Sequence, residues 1–257
     1  MFRLETETKT VAPVGPAFCR YRMWISWQAD VHMVLGAYEP QVAEALRREI
    51  APGNVCIDVG AHVGYYAILM ARLSGKKGAV VAFEPIPVNF ELLQRNIALN
   101  ALANVRPDGL AVSERDGTLR LTLSCDEVLP KTASTCGFAV GERRKVIDVA
   151  TCSLDSYLAR TGNVPDLVLI DVEKAELAVL RGAQATLRTA RPKLLIEIHG
   201  WEGPERDEVG RFLSGFGYQR TILGYRNREA FAFFRPSPQP IETKAQKVRP
   251  DGSGVTA

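Results

Sequence analysis

Apolar and polar positions along this chain fall into two alternating rhythms. Short runs dense in β-branched and aliphatic residues, such as Val55–Val59, Ala79–Glu84, Leu167–Glu173 and Lys193–His199, are separated by stretches whose apolar residues recur every three to four positions. The first rhythm predicts buried strands and the second amphipathic helices. Strands are therefore expected over about 55–59, 79–84, 105–112, 167–173 and 193–199, with two closing strands over about 218–223 and 229–235. Helices are expected from Pro40 to the Pro52-Gly53 stop, over 64–74, from Pro87 to about 100, and over about 204–215. Another should follow the 167–173 strand, with Leu177, Leu180, Ala183 and Leu187 in register. Thr118–Leu123 alternates strictly, which predicts a half-buried antiparallel strand. Lys145–Thr151 could pair with it as an inserted β-hairpin, and Ser153–Leu158 reads as a short helix.

Strands and helices alternating through short connections predict an α/β fold with a doubly wound, Rossmann-like parallel sheet. Two final strands without a full crossover helix between them imply an antiparallel last strand. Residues 1–37, aromatic-rich and broken by Pro13, Pro16 and Gly36, read as an N-terminal lid or extension ahead of a main domain over 38–236. Residues 237–257 turn to Pro, Ser, Lys and Gly without periodicity and are expected to be disordered. Residues 125–144 carry few periodic signals and are expected to form a mobile loop over the site.

Composition narrows the class further. With 257 residues, 46% of them hydrophobic and 24% charged, the chain has the profile of an ordinary globular protein. A net charge of +3 without a clustered basic patch argues against a nucleic-acid partner. Cys19, Cys56, Cys125, Cys136 and Cys152 are odd in number and lack CxxC spacing, which predicts free thiols rather than a disulfide framework or a zinc site. With no apolar leader and no run of ~18 apolar residues, a cytoplasmic location and no membrane partner are expected.

The candidate chemistry lies at the carboxyl ends of the buried strands, where open α/β sheets bind their ligands. Asp58-Val-Gly-Ala-His-Val-Gly64 lacks both the G-x-G-x-x-G spacing of a dinucleotide turn and the Gly-Lys pair of a P-loop. It fits the looser acidic-x-Gly turn used for S-adenosylmethionine, with His62 in the middle glycine position. Among side chains with a Cβ, histidine is one of the better tolerated where φ is positive. Glu84, ending the second strand, can accept hydrogen bonds from both ribose hydroxyls of an adenosine-containing cofactor. Asp171, Glu173, Glu197 and His199 stand at later strand ends. A hydroxyl acceptor needs its proton removed, and Asp171 or Glu197 is expected as the base, with His199 as the alternative. The same carboxylates could hold Mg²⁺, which takes one or two protein carboxylates plus water and substrate oxygens; no metal ligand is assigned from the sequence.

From about Tyr38 to Gly200 the chain resembles the FkbM-type S-adenosylmethionine-dependent methyltransferases. The segments that carry the resemblance are Asp58–Tyr66, Phe83-Glu-Pro85 with Asn89–Leu93, Leu154-Asp155, Ile170–Glu176 and Leu195–His199. Their joint occurrence in this order is specific, although no one of them is. The resemblance implies the class I methyltransferase fold, a seven-stranded sheet with a reversed last strand. It also implies cofactor contacts from Asp58, Gly60, His62, Gly64, Tyr65, Glu84, Pro85, Asn89, Ala111 and Asp171. The implied partner is a small-molecule methyl acceptor, with a homodimer as a possible assembly. The chain departs from the family where Asn is usual at His62 and Gly is usual at Lys174. The expected reaction is O-methylation of a sugar or secondary metabolite. N-methylation of an amide or amine is the alternative, as is a cofactor-binding protein of this fold without turnover.

Overall fold

A computed structural model describes residues 10–16, 19–25, 33, 38–125 and 143–238. The expected loop between Cys125 and Arg143 and the tail beyond Pro238 fall outside them almost entirely. The order of elements begins with strands β1 (Thr10–Val14) and β2 (Tyr21–Ile25) and helix α1 (Pro40–Glu49). Next come β3 (Val55–Val59), α2 (Tyr65–Ser74), β4 (Ala79–Phe83), α3 (Pro87–Leu99), β5 (Val105–Asp108), β6 (Ala111–Ser113) and β7 (Gly117–Cys125). The second half holds β8 (Arg143–Ser153), α4 (Leu154–Thr161), β9 (Leu167–Ile170), α5 (Glu176–Arg181) and α6 (Gln184–Thr189). It closes with β10 (Lys193–His199), α7 (Glu208–Ser214), β11 (Tyr218–Arg226) and β12 (Glu229–Pro236).

The main sheet has seven strands in the order β11-β12-β10-β9-β3-β4-β5. Pairings among β10, β9, β3, β4 and β5 are parallel, whereas β12 runs antiparallel to both β10 and β11. The strand reversed against the rest is thus the last in sequence. Alternate side chains of each strand feed two cores. Cys56, Val80, Leu195, Phe231 and Phe233 pack with α1, α2 and α3 on one face. Ile57, Val81, Ile196, Ala232 and Phe234 pack with α4, α5 and α7 on the other. Burial on both faces is why these strands read as continuous apolar runs.

Three expected elements divide. The strand expected over 105–112 splits: β5 stays in the main sheet, while β6 pairs with β8 in a separate three-stranded sheet, β6-β8-β7. Pro107, which has no amide hydrogen, and Gly109 lie where the chain leaves one sheet for the other. In that small sheet β7 and β8 pair antiparallel from Gly117 against Thr151 to Cys125 against Arg143. The helix expected on Leu177–Leu187 divides into α5 and α6 at Gly182, where the backbone comes so close to β6 that a Cβ would stand 2.1 Å from the Ser113 carbonyl oxygen. The helix expected over 204–215 becomes a 3₁₀ turn (Pro204–Arg206) followed by α7, which Asp207 caps by accepting from the Gly210 amide.

The described part of the N-terminal extension is the antiparallel hairpin β1–β2. Trp24 donates its amide to Asn96 Oδ1 on α3 (2.7 Å), and Asn96 in turn donates to the Val63 carbonyl (2.9 Å), so the hairpin braces the outside of the glycine turn. Its described residues line no part of the cleft described below. No helix among the described residues is long and apolar enough to cross a membrane. Cys19, Cys56 and Cys152 carry free thiols.

Candidate active site

A cleft of about 310 Å³ opens over the carboxyl ends of β4, β3, β9 and β10. Its floor is the glycine turn. Gly60 has φ +91°, and a Cβ there would stand 1.8 Å from the Asp171 carbonyl oxygen. The close approach follows from the ladder: Val59 pairs with Ile170, and the Asp171 amide donates to the Val59 carbonyl at 2.9 Å. Only glycine lets β9 end against the turn in this way. His62 takes φ +52°, the left-handed conformation expected for it.

His62 lends its amide to Glu84 Oε2 at 2.9 Å, while Glu84 Oε1 accepts from the Ile86 amide at 2.9 Å and from Asn89 Nδ2 at 3.4 Å. Glu84 is buried, and burial pushes its carboxyl up to about 7 against the opposing pull of these donors. Oε2, which accepts from the His62 amide alone, retains acceptor capacity, whereas Oε1 already accepts from two donors. Pro85, Asn89 and Ala111 border the same end, with Ile86, Leu119 and Leu121 as an apolar wall.

Asp58 lies beneath the floor, 1% exposed, and neither carboxylate oxygen makes a hydrogen bond of ordinary geometry. Burial first, then the charges of Asp171 and Glu84, raise its pKa to about 8, with the Ala67 amide only partly offsetting them. Gly64 and Tyr65, expected beside the cofactor, do not border the cleft. The chain turns away after His62: Gly64 faces Leu93, and Tyr65 packs against Tyr21, Tyr38 and Tyr66 in the core.

At the other end Asp171, Glu173, Glu197 and His199 come together, as their strand-end positions led us to expect. Glu197 and His199 sit two residues apart on β10 and so share a face. His199 Nδ1 lies 2.7 Å from Glu176 Oε1, and its Nε2 is 3.7 Å from Asp171, 3.6 Å from Glu173 and 3.7 Å from Glu197. Burial alone would lower the His199 pKa, but the Glu176 hydrogen bond and the surrounding carboxylates raise it to about 8. Burial raises both Asp171 and Glu197, which also repel each other.

Three residues of this end, Arg226, Glu39 and Glu176, escaped the sequence reading as site residues. Arg226, at the end of β11, reaches Glu197 (2.8 Å), Glu39 (2.5 Å) and Glu229 (2.8 Å), and Glu39 also accepts from the Tyr66 hydroxyl at 2.5 Å. Glu176 completes the set. Glu39 precedes a helix-starting proline and Arg226 sits in a terminal hairpin, so neither carries a local signature. Glu176 did stand in a recognised segment, and its place three residues after Glu173, at a helix start, was the available signal.

A seven-stranded sheet reversed at its last strand, with a glycine turn and a carboxylate closing the neighbouring strand, defines a class I S-adenosylmethionine-dependent methyltransferase. Two solved structures share the fold. Methyltransferase FkbM from Methylobacillus flagellatus KT has a TM-score of 0.52 at 15% identity over 75% of this chain; the match spans 50% of that protein. Aeropyrum pernix fibrillarin, solved with natively bound S-adenosyl-L-methionine, has a TM-score of 0.50 at 14% identity over 90% of this chain and 85% of its own. The sequence model of the methyltransferase FkbM domain matches residues 58–220, and the chain belongs to that family. Among curated relatives, the 31-O-demethyl-FK506 methyltransferase FkbM of Streptomyces tacrolimicus is 31% identical over 66% of this chain and 74% of its own. The hexuronic acid methyltransferase AglP of Haloferax volcanii is 29% identical over 77% of each.

Proposed function

We propose that this methyltransferase acts on a hydroxyl of a small molecule, a sugar or secondary metabolite. One observation carries the reading: Asp171, Glu197 and His199 converge at the end of the cleft opposite Glu84. β4 and β10 are three strand spacings apart, about 14 Å, a span suited to a cofactor with its ribose at one end and its reacting group near the other. The names of two relatives, one for O-demethyl-FK506 and one for a hexuronic acid, point to oxygen-rich acceptors.

Glu84 would hold the ribose hydroxyls, with Asn89 steadying its carboxylate and Pro85, Ala111 and the apolar wall flanking the adenine. Asp58, sealed beneath the floor and not bordering the cleft, would support the turn from below, with Gly60 and His62 shaping its surface. S-adenosylmethionine, when bound, supplies an electrophilic methyl carbon. The chain must then aim an acceptor oxygen along that axis and remove its proton. Asp171 is the proposed base: its side chain is a quarter exposed to the cleft, and it makes no hydrogen bond among the described residues. Glu197 is held by Arg226 and is better suited to positioning. Placement of the acceptor and proton removal are each large effects, the second typically 10²–10⁴-fold.

The test is release of S-adenosylhomocysteine from S-adenosylmethionine in the presence of a panel of sugars, hydroxylated metabolites, amines and amides. Turnover on hydroxyl compounds, reduced by roughly 10²–10⁴-fold in Asp171→Asn, is expected. Turnover confined to amines or amides would replace this reading with N-methylation. Tight cofactor binding with no turnover on any class would favour the binding-protein alternative.

A further inference from the structure

We propose that the Tyr38 hydroxyl holds the acceptor oxygen and biases the enzyme toward hydroxyl over amine acceptors. The inference rests on the methyl-transfer reading above and adds a residue and a selectivity to it. Tyr38 stands just ahead of α1 and borders the cleft together with Asp171 and Glu197. Its hydroxyl makes no hydrogen bond among the described residues. Two neighbouring tyrosines differ: Tyr21 donates to the Tyr65 carbonyl at 2.6 Å and Tyr66 to Glu39 at 2.5 Å. A phenol without a partner at the wall of a cleft has its hydrogen bond to give to a ligand.

The ring is held in place from behind. It meets Tyr65 edge-on, with 5.0 Å between centroids, and Tyr66 at 5.9 Å. Glu39, the next residue, is buried and anchored by Arg226 and by the Tyr66 hydroxyl. Tyr65, carried behind the cleft by the onset of α2, thus serves the site by backing Tyr38. A donor fixed in this way orients an acceptor at little further cost in side-chain freedom. Burial, then the charges of Glu39, Asp171 and Glu197, keep the phenol well above its usual pKa against the pull of Arg226. Tyr38 therefore keeps its proton, and its hydroxyl lies within electrostatic reach of the proposed base.

The selectivity follows from counting lone pairs. A hydroxyl acceptor has one hydrogen and two lone pairs. Its hydrogen points to Asp171 and one lone pair accepts from Tyr38, which leaves the second to form the oxygen–carbon bond. Asp171 takes the hydroxyl proton in that step, and Tyr38 keeps its own. A neutral amine has a single lone pair. If Tyr38 donates to it, none remains for bond formation; if Tyr38 does not, its hydroxyl faces the nitrogen unpaired. The donor that steadies an alcohol therefore works against an amine.

Tyr38→Phe keeps the ring and removes the hydroxyl. The full chain and the variant are assayed on the sugars, hydroxylated metabolites and amines of the panel, D-glucose and D-glucuronic acid included. The hydroxyl compound turned over fastest is then titrated by calorimetry into each chain saturated with S-adenosylhomocysteine, where no transfer takes place. In the variant, kcat/KM on hydroxyl compounds should fall roughly 5- to 150-fold and binding in the S-adenosylhomocysteine complex at least about fivefold. Turnover on amines should not fall, and S-adenosylhomocysteine affinity and melting temperature should match the wild type. Unchanged hydroxyl turnover and binding, equal losses on hydroxyl compounds and amines, or a matching loss of S-adenosylhomocysteine affinity overturns the proposal and leaves the methyl-transfer reading standing. A wild type that turns over no hydroxyl compound overturns both.

Discussion

At the Glu84 end of the cleft, the donors that hold the carboxylate lie 2, 5 and 22 residues away, within one βαβ unit. At the opposite end, Arg226 reaches Glu197 across 29 residues and Glu39 across 187, while His199 meets Glu176 across 23. The first end is assembled by a local turn whose geometry depends on one glycine. The second is assembled by topology: the reversed strand β12 folds the chain back so that the end of β11 meets the segment just before α1. A local device can be recognised from its spacing. A junction of distant segments becomes visible only when the sheet order is known.

The comparison makes the ends separable by mutation, and the largest effect is expected where they touch. Gly60→Ala would drive a Cβ into the Asp171 carbonyl at 1.8 Å and force an L-residue to φ +91°. Cofactor affinity should fall by more than ~100-fold, or about 2.7 kcal/mol, in a titration with S-adenosylhomocysteine. Unchanged affinity would mean the turn and β9 are not in the contact described. Asp171→Asn should act on one end alone. Turnover should drop by roughly 10²–10⁴-fold while cofactor affinity stays within a few fold, and parallel losses would merge the two ends into one.

Asp58 gives a pH test of the cofactor end. Its folded pKa of about 8 lies above the ordinary aspartate value of 3.8, so the folded chain without cofactor binds this proton more tightly than the unfolded chain does. The stability it contributes is fully present below about pH 3.8 and is lost as pH rises through about 8. Asp58→Asn should flatten that decline in thermal melts of the cofactor-free chain between pH 5 and pH 8.5 while weakening cofactor binding. A wild-type melting temperature that rises steadily over the same range in step with the variant's would contradict the assignment. The smallest effect is expected at Lys174, which adopts φ +77° directly after Glu173 at +50°. Lys174→Gly should relieve a left-handed conformation that costs an L-residue about 1–2 kcal/mol and raise the melting temperature by a few degrees. A fall would show that the Lys174 side chain contributes more than its backbone costs.

The same contrast explains what could be read in advance. Strands 55–59 and 193–199 and the helix starting at Pro87 were legible because their apolar periodicity is satisfied by burial within a single element. The split of 105–112 into β5 and β6 was not, since the two halves differ in which sheet they join rather than in their pattern. The break at Gly182 follows from contact with Ser113, 69 residues earlier in the chain, which no local window contains. In the site, Glu84, Asp171, Glu197 and His199 were legible as polar residues ending apolar strands. Gly64 and Tyr65 were placed beside the cleft by motif alone, whereas the onset of α2 carries them behind it. Glu39 and Arg226 had no local signal because their meaning lies in meeting each other.

The central claim is that Glu84 anchors the cofactor independently of the acidic cluster. Calorimetric titration of S-adenosylhomocysteine into the wild type, Glu84→Ala and Asp171→Asn tests it most directly. Loss of the buried carboxylate should weaken binding by about 1–3 kcal/mol, roughly 5- to 150-fold, in Glu84→Ala, with Asp171→Asn close to the wild type. Equal affinity in the wild type and Glu84→Ala, or a larger loss in Asp171→Asn, would contradict the account.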